Sequence, residues 1–284
     1  MTGQAAALRE TAYAKINLAL HVRERMPDGY HRIETLFAFC DDGDEIRAEP
    51  DDRITLTIDG PFGAGLSSGP DNLVVRAAEA LREAACVEAG AALHLTKNLP
   101  LASGVGGGSG DAAATLRLLQ RLWGLTLDDA ALHGIAADLG ADVPACLLSQ
   151  CCFGAGRGDE LKSIAAGELA GKPLLLVNPG VPVETGPVFA AWDGKDRGAL
   201  DAVDPLQIDP AWRNDLEAPA RAIEPEIGAV LAALENIPSA QFVRMSGSGA
   251  TCFALFDAIE VRDAAAQAIA EDHGGWWTMR SALR

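Results

Sequence analysis

The amino-acid sequence predicts an α+β protein of two domains. Three observations carry that reading. A glycine-rich stretch, Leu99-Pro-Leu-Ala-Ser-Gly-Val-Gly-Gly-Gly-Ser-Gly-Asp-Ala-Ala-Ala114, leads from an apolar strand (Ala92-Leu-His-Leu-Thr-Lys97) into a helix whose Ala112, Leu116, Leu119 and Trp123 recur every three or four residues. Residues 12–22 and 53–59 alternate with period two, the signature of strands. In the later half short strands alternate with helices, as in a sheet covered by helices on one side. With 284 residues, 49% of them hydrophobic, the chain can bury the core of one large or two medium domains.

The elements follow in order. In residues 12–22 the even positions are Ala12, Ala14, Ile16, Leu18, Leu20 and Val22. This predicts a half-buried strand with Lys15, Asn17 and His21 on its other face, where Lys15 and Asn17 either meet a ligand together or face water. Pro27-Asp-Gly29 is a turn signal, and Tyr30-His31 just after it offer an aromatic ring and an imidazole for stacking on and hydrogen bonding to a base. Strands are expected at 33–39 and 53–59, a loop at 60–69, and a helix over 70–85 with Leu73, Ala77 and Leu81 inward. A helix from Asp128 to Leu139 ends at Gly140. Asp142, two residues before Pro144, reads either as an N-cap or as a carboxylate aimed at the region of the glycine loop.

Gly154-Ala-Gly-Arg-Gly158 reads as a hairpin or a substrate-facing turn, and residues 193–209 as a polar surface excursion. Beyond them come strands at 174–177, 242–245, 251–256 and 276–279 and helices at 214–221, 226–235 and 260–271. Ser246-Gly-Ser-Gly249 is a tight turn that also suits contact with the first glycine loop. The composition changes between about 155 and 172, so the domains are placed at 1–160 and 161–284.

The glycine loop feeds a helix N-terminus. Unpaired amides there, with roughly half a positive charge from the helix dipole, suit phosphate better than they suit a linker. The loop is neither a Walker A motif, since no Lys follows its last Gly, nor a G-x-G-x-x-G fingerprint. Charge makes those local donors matter more. Lys and Arg number 23 against 40 Asp and Glu, a net −17 that argues against general affinity for nucleic acid or an anionic membrane. None of the six cysteines forms a C-x-x-C pair, so buried reduced thiols are expected. Met1 to Glu10 has no basic segment followed by an apolar core, and no apolar run reaches about 18 residues, so a cytoplasmic soluble protein is expected.

Taken together, Ala14-Lys-Ile-Asn-Leu18, Pro27-Asp-Gly-Tyr-His31, the glycine loop, Leu139-Gly-Ala-Asp-Val-Pro144, Asn214-Asp-Leu-Glu217 and Arg244-Met-Ser-Gly-Ser-Gly-Ala250 resemble the GHMP kinase superfamily. Asp-Gly-Tyr-His with Gly-Ala-Asp-Val-Pro resembles its subfamily acting on 4-diphosphocytidyl-2-C-methyl-D-erythritol, and the likeness covers nearly the whole chain. The resemblance implies an N-terminal ATP-binding domain and a C-terminal ferredoxin-like sandwich closing a substrate cleft. It implies transfer of the γ-phosphoryl of ATP, with Mg²⁺, to the 2-hydroxyl of that alcohol in the non-mevalonate isoprenoid route, by a monomer or homodimer.

In that reading Asp142 is the catalytic base and Lys15 stabilises charge and orients the nucleophile, while Asn17, Tyr30 and His31 take the cytidine diphosphate side. Pro100, Leu101, Ala102, Ser103, Gly104, Val105, Gly106, Gly107, Gly108, Ser109 and Gly110 wrap the ATP phosphates; no residue is assigned to metal. The chain departs from the usual pattern at Gly110, where a Ser is common, and at Ala102 and Val105; residues 185–210 match thinly. Another small-molecule kinase of the superfamily, or a non-catalytic nucleotide-binding relative, are the alternatives. The first lacks a cytosine for Tyr30 and His31 to read, and the second needs no base.

Overall fold

The computed structural model describes residues 7–202 and 204–284. They form two compact units that interleave along the chain: one holds the residues up to Ala14, Asp42–Leu99 and Gly106–Leu148, the other Lys15–Asp41, Pro100–Val105 and Ser149–Arg284. Strands β1 (Leu8–Arg25) and β2 (His31–Asp51) each contribute to both.

In the first unit β4 (Gly90–Thr96) pairs antiparallel with β2, from Glu45 opposite Thr96 to Asp51 opposite Gly90, and parallel with β3 (Ile54–Asp59). Four helices accompany them: α1 (Leu73–Ala84), α2 (Gly107–Leu122), α3 (Asp129–Leu139) and α4 (Val143–Leu148). Helix α1 starts where Asn72 accepts a hydrogen bond from the Val74 amide, and it buries Val74, Ala77, Ala78 and Leu81. Its partner α2 presents Ala112, Ala113 and Ala114, small side chains that let helix axes approach closely, then buries Leu116, Leu118 and Leu119. Each such leucine contributes about 1.5–3 kcal/mol by leaving water. Asp128 caps α3 through the Ala131 amide and Gly140 ends it.

In the second unit β5 (Cys152–Ala155) pairs with Thr35 to Phe37 of β2 and folds back on β6 (Glu160–Ser163), so Gly154 to Gly158 form the hairpin expected of them. A second sheet, antiparallel throughout, runs β10 (Trp277–Ala282), β7 (Pro173–Asn178), β9 (Cys252–Leu255), β8 (Phe242–Met245). Helices α7 (Glu226–Glu235) and α8 (Ile259–Asp272) pack on it, burying Val230, Leu234 and Ile269 with Leu175, Val177 and Phe256. Two short helices, α5 (Thr185–Ala190) and α6 (Glu217–Ile223), complete the unit.

Four expectations are corrected. Strand β1 is not half-buried: Lys15, Asn17 and His21 are as buried as their apolar neighbours. Alternation in sequence reports polarity, and here the polar face is covered within the second unit, where the Gly247 backbone passes over Lys15 and Asn17 and Thr35 accepts from the Asn17 side chain. Helix α6 begins at Glu217, not Asn214, because Asn214 and Asp215 bond elsewhere. Helix α5 lies in a stretch the sequence left unassigned. All six cysteines are free thiols, but Cys86 is exposed and the other five are buried. Among the described residues no helix is long and apolar enough to cross a membrane; the reading of the first six residues lies outside them.

Candidate active site

Helix α2 opens on Gly106, whose φ of 67° is left-handed, a conformation that glycine adopts without penalty. No side chain among the described residues caps this end. The first backbone bond closing onto Gly106 comes from the Gly110 amide at 2.7 Å, so the amides of Gly107, Gly108 and Ser109 have no intrahelical acceptor. Gly108 is exposed and its neighbours are half-exposed, leaving those donors accessible to an anion. Gly110 has a packing reason: a Cβ there would stand 3.3 Å from the Tyr13 carbonyl oxygen, which disfavours the Ser common at this position.

Immediately beside this helix start lies a buried cluster of charge. The Lys97 ammonium bonds to the carboxylates of Asp44 and, at 2.8 Å, of Asp111. Asp44 also accepts the amides of Asn98 and Leu99 at 2.5 and 2.9 Å. Burial pushes the Asp111 carboxyl up to about 7, only partly offset by Lys97. Burial works against the Lys97 ammonium, yet the two carboxylates outweigh it and hold its pKa above the ordinary value.

The preceding half of the loop, Pro100 to Val105, belongs to the second unit. Ser103 Oγ donates to the Pro100 carbonyl at 2.6 Å, and the amides of Val183 and Thr251 reach the carbonyls of Ala102 and Ser103. Gly104 has φ 79°, and a Cβ on it would come within 2.3 Å of the Ser246 carbonyl oxygen. The contact expected between the Ser246-Gly-Ser-Gly249 turn and this loop is made: Ser246 Oγ donates to the Gly104 carbonyl at 2.9 Å.

The same turn covers Lys15 and Asn17. Lys15, only 4% exposed, donates from Nζ to Asn17 Oδ1 at 2.8 Å, and Asn17 Nδ2 donates to Thr35 Oγ1 at 2.8 Å. That chain fixes which way the Asn17 amide points. A Cβ on Gly247 would lie 3.3 Å from Asn17 Oδ1 and 3.5 Å from Lys15 Nζ, so the turn's backbone passes directly over both.

Also in this unit, His31 opens β2 and packs on Phe189, centroids 5.1 Å apart, and edge-on against Trp192 at 5.7 Å. Arg25 Nε donates to His31 Nε2 at 3.3 Å, which leaves the neutral ring's proton on Nδ1. Burial, then Arg25, holds the His31 pKa below its ordinary value, so the ring is neutral near pH 7. Tyr30 is 56% exposed, with the Arg157 guanidinium 4.1 Å from its ring centroid and Asp28 bonded to both Arg157 and the Tyr30 amide. Asp142 lies in the first unit, half-buried, directly before α4, where its carbonyl accepts the Cys146 amide at 3.0 Å.

Sequence reasoning missed Phe189 and Trp192, whose three-residue spacing on and just after α5 was the available signal. It also missed Asp44, Lys97 and Asp111, although Lys97 closes the strand that enters the loop.

The family model for the GHMP kinases N terminal domain matches residues 72–150, and that for the GHMP kinases C terminal matches 207–271. A 4-diphosphocytidyl-2-C-methyl-D-erythritol kinase of Rhizorhabdus wittichii is 55% identical over 97% of this chain and 94% of its own length. The chain belongs to the 4-diphosphocytidyl-2-C-methyl-D-erythritol kinase family. A second member, of Novosphingobium aromaticivorans, is 52% identical over 99% of this chain and 95% of its own. A crystal structure of 4-(cytidine 5'-diphospho)-2C-methyl-D-erythritol kinase superposes with TM-score 0.80 at 34% identity, over 97% of this chain and 99% of that one. A homoserine kinase of Cytophaga hutchinsonii, TM-score 0.74 at 18% identity over 100% of this chain and 96% of that one, shares the fold. The α+β reading with an N-terminal and a C-terminal GHMP kinase part therefore stands.

Proposed function

We propose that this kinase transfers the γ-phosphoryl group of ATP to the 2-hydroxyl of 4-diphosphocytidyl-2-C-methyl-D-erythritol, in the cytoplasm, as a step of the non-mevalonate isoprenoid route. The observation that carries the reading is the uncapped start of α2, three accessible amides behind a left-handed Gly106. Phosphoryl transfer asks a protein mainly for positioning and for stabilisation of charge on the transferred group, and a backbone cradle supplies both without side chains that would have to reorganise.

In this reading Pro100 to Gly110 hold the ATP phosphates. Asp142 takes the proton from the attacking hydroxyl, and Lys15 stabilises the charge that develops and orients the nucleophile. The Lys15-Asn17-Thr35 chain supports that assignment, since it locks the ammonium and the amide in one arrangement before any ligand arrives. Asn17 faces the diphosphocytidyl alcohol, Tyr30 stacks near the cytosine, and His31 presents its Nδ1 proton to an acceptor on the base. Phe189 and Trp192 support this: a neutral imidazole against two aromatic rings offers a flat base an apolar, directional site.

Among the described residues no group of three or more His, Cys, Asp or Glu could cage a metal ion. The Mg²⁺ we propose accompanies the nucleotide phosphates, where it would supply charge neutralisation. We also propose the division at 160, which falls between the two matched stretches, 72–150 and 207–271.

The test is ADP release by purified protein with MgATP and the cytidyl alcohol, wild type beside Asp142→Asn. Turnover lost by orders of magnitude in the variant supports both base and reaction. Near-normal turnover in the variant removes Asp142 from the role of base.

A further inference from the structure

We infer that Lys97, gripped by Asp44 and Asp111, is a positioning residue for the phosphate cradle: it sets where the amides of Gly107 to Ser109 stand and does not itself touch phosphate. This rests on the proposed reading of those amides as the nucleotide phosphate site.

The ammonium is the point where three parts of the first unit are tied together. Asp44 comes from β2, and beyond Lys97 it accepts the amides of Asn98 and Leu99, the residues that carry the chain into the loop. Asp111 comes from the first turns of α2 and bonds to the same Nζ at 2.8 Å. Gly107, the first residue of α2, lies so close that a Cβ on it would stand 2.9 Å from Nζ. The chain entering the loop and the helix leaving it are thus anchored on one nitrogen. Lys97 is only 2% exposed, and two of its three protons are committed to carboxylates, which leaves it poorly placed to serve an incoming phosphate.

The cluster holds two carboxylates against one ammonium, and the second oxygen of Asp111 is buried without a partner among the described residues. A group left this way costs stability, so a chain selected for stability alone would sooner place an apolar residue here. The arrangement makes sense if the helix start has to be held in one place so that its amides already stand where the phosphates arrive.

The experiment compares wild type, Lys97→Met and Asp111→Asn; the last keeps an oxygen that can accept from Nζ. Steady-state constants for MgATP and for the cytidyl alcohol are measured with amide hydrogen exchange over residues 106–112, with and without MgATP. MgATP is expected to slow exchange at 107–109 in the wild type. In Lys97→Met exchange at 110–112, where the Gly110 amide closes the first bond of the helix onto Gly106, speeds up in the free enzyme, and KM for MgATP rises about ten- to a hundredfold while that for the alcohol stays put. Asp111→Asn moves both in the same direction by less, at an unchanged or raised melting temperature. A folded Lys97→Met with wild-type exchange and wild-type KM for MgATP overturns the inference. Should Lys97→Met fail to fold, Asp111→Asn decides: unchanged exchange and KM overturn it. Absence of MgATP protection at 107–109 in the wild type instead overturns the cradle reading on which it rests.

Discussion

The hydroxyl of Ser246 donates to the carbonyl of Gly104 at 2.9 Å while it accepts the amide of Asn17 at 3.2 Å. One side chain therefore joins the glycine loop to the strand that carries Lys15 and Asn17, two segments far apart in sequence. The backbone of the same turn leaves no room for a Cβ at Gly104, and a Cβ on Gly247 would press on the Gly104 carbonyl oxygen at 3.1 Å.

Replacing Ser246 by Ala removes both bonds and strands the Asn17 amide in a buried place. A loss of roughly 1–3 kcal/mol in folding stability is expected. Because the loop and Lys15 lose their common anchor, kcat/KM should fall about tenfold or more. Thermal melts and steady-state kinetics check the two parts separately.

Gly104 and Gly108 should respond differently to Ala. At Gly104, φ 79° and the 2.3 Å approach to the Ser246 carbonyl combine, so Gly104→Ala is expected to destabilise the fold by roughly 1–3 kcal/mol or more. Gly108 sits in α2, and a Cβ there meets only the flexible end of Leu73 at 3.3 Å. Gly108→Ala should therefore keep or slightly raise stability, since Ala outranks Gly in a helix by about 1 kcal/mol. It should nonetheless weaken MgATP binding, measured by calorimetry, because it adds a methyl group to a residue whose amide the proposed cradle uses.

Asp111 makes stability depend on pH. Its folded pKa of about 7 lies above the ordinary 3.8, so the folded state binds the proton more tightly than the unfolded one. Its contribution is fully present below about pH 4 and is lost as pH rises to about 7. Asp111→Asn abolishes that titration. Denaturant melts from pH 4 to 8 should show the variant gaining on the wild type as pH rises.

His31 acts in the other direction. Its pKa is held down by burial and then by Arg25, so the neutral ring stabilises the fold above the unfolded value of 6.5, and this is lost as pH falls through the lower folded pKa. Protonation also sets His31 against Arg25, so KM for the cytidyl alcohol should rise on acidification below 6.5 while KM for MgATP changes less. A His31→Gln variant should show a flatter pH profile.

Much of this was legible in the chain. Lys15 and Asn17 stood out against the even apolar positions of their strand, the start of α2 was marked by glycine and that of α3 by Asp128, whereas α1, expected from Pro70, starts only at Leu73 behind the Asn72 cap. Periodicity describes one element at a time, so it could not show that β1 is covered on both faces or that its two ends lie in different units. Asp44 lies beyond the strand expected at 33–39 and Lys97 at the end of another, each an ordinary charge; only the pairing of β2, which runs on to Asp51, with β4 brings them together, and only the tertiary fold adds Asp111. Phe189 and Trp192 escaped because a helix as short as α5 carries too few turns to establish a period.

The measurement that bears most directly on the central claim is mass-spectrometric detection of phosphorylated product. Wild-type protein and MgATP are given 4-diphosphocytidyl-2-C-methyl-D-erythritol, homoserine or mevalonate in separate reactions. The account predicts a monophosphorylated product from the cytidyl alcohol alone. Phosphorylation of homoserine or mevalonate with the cytidyl alcohol untouched would contradict it, and would take from Tyr30 and His31 the role of reading a base.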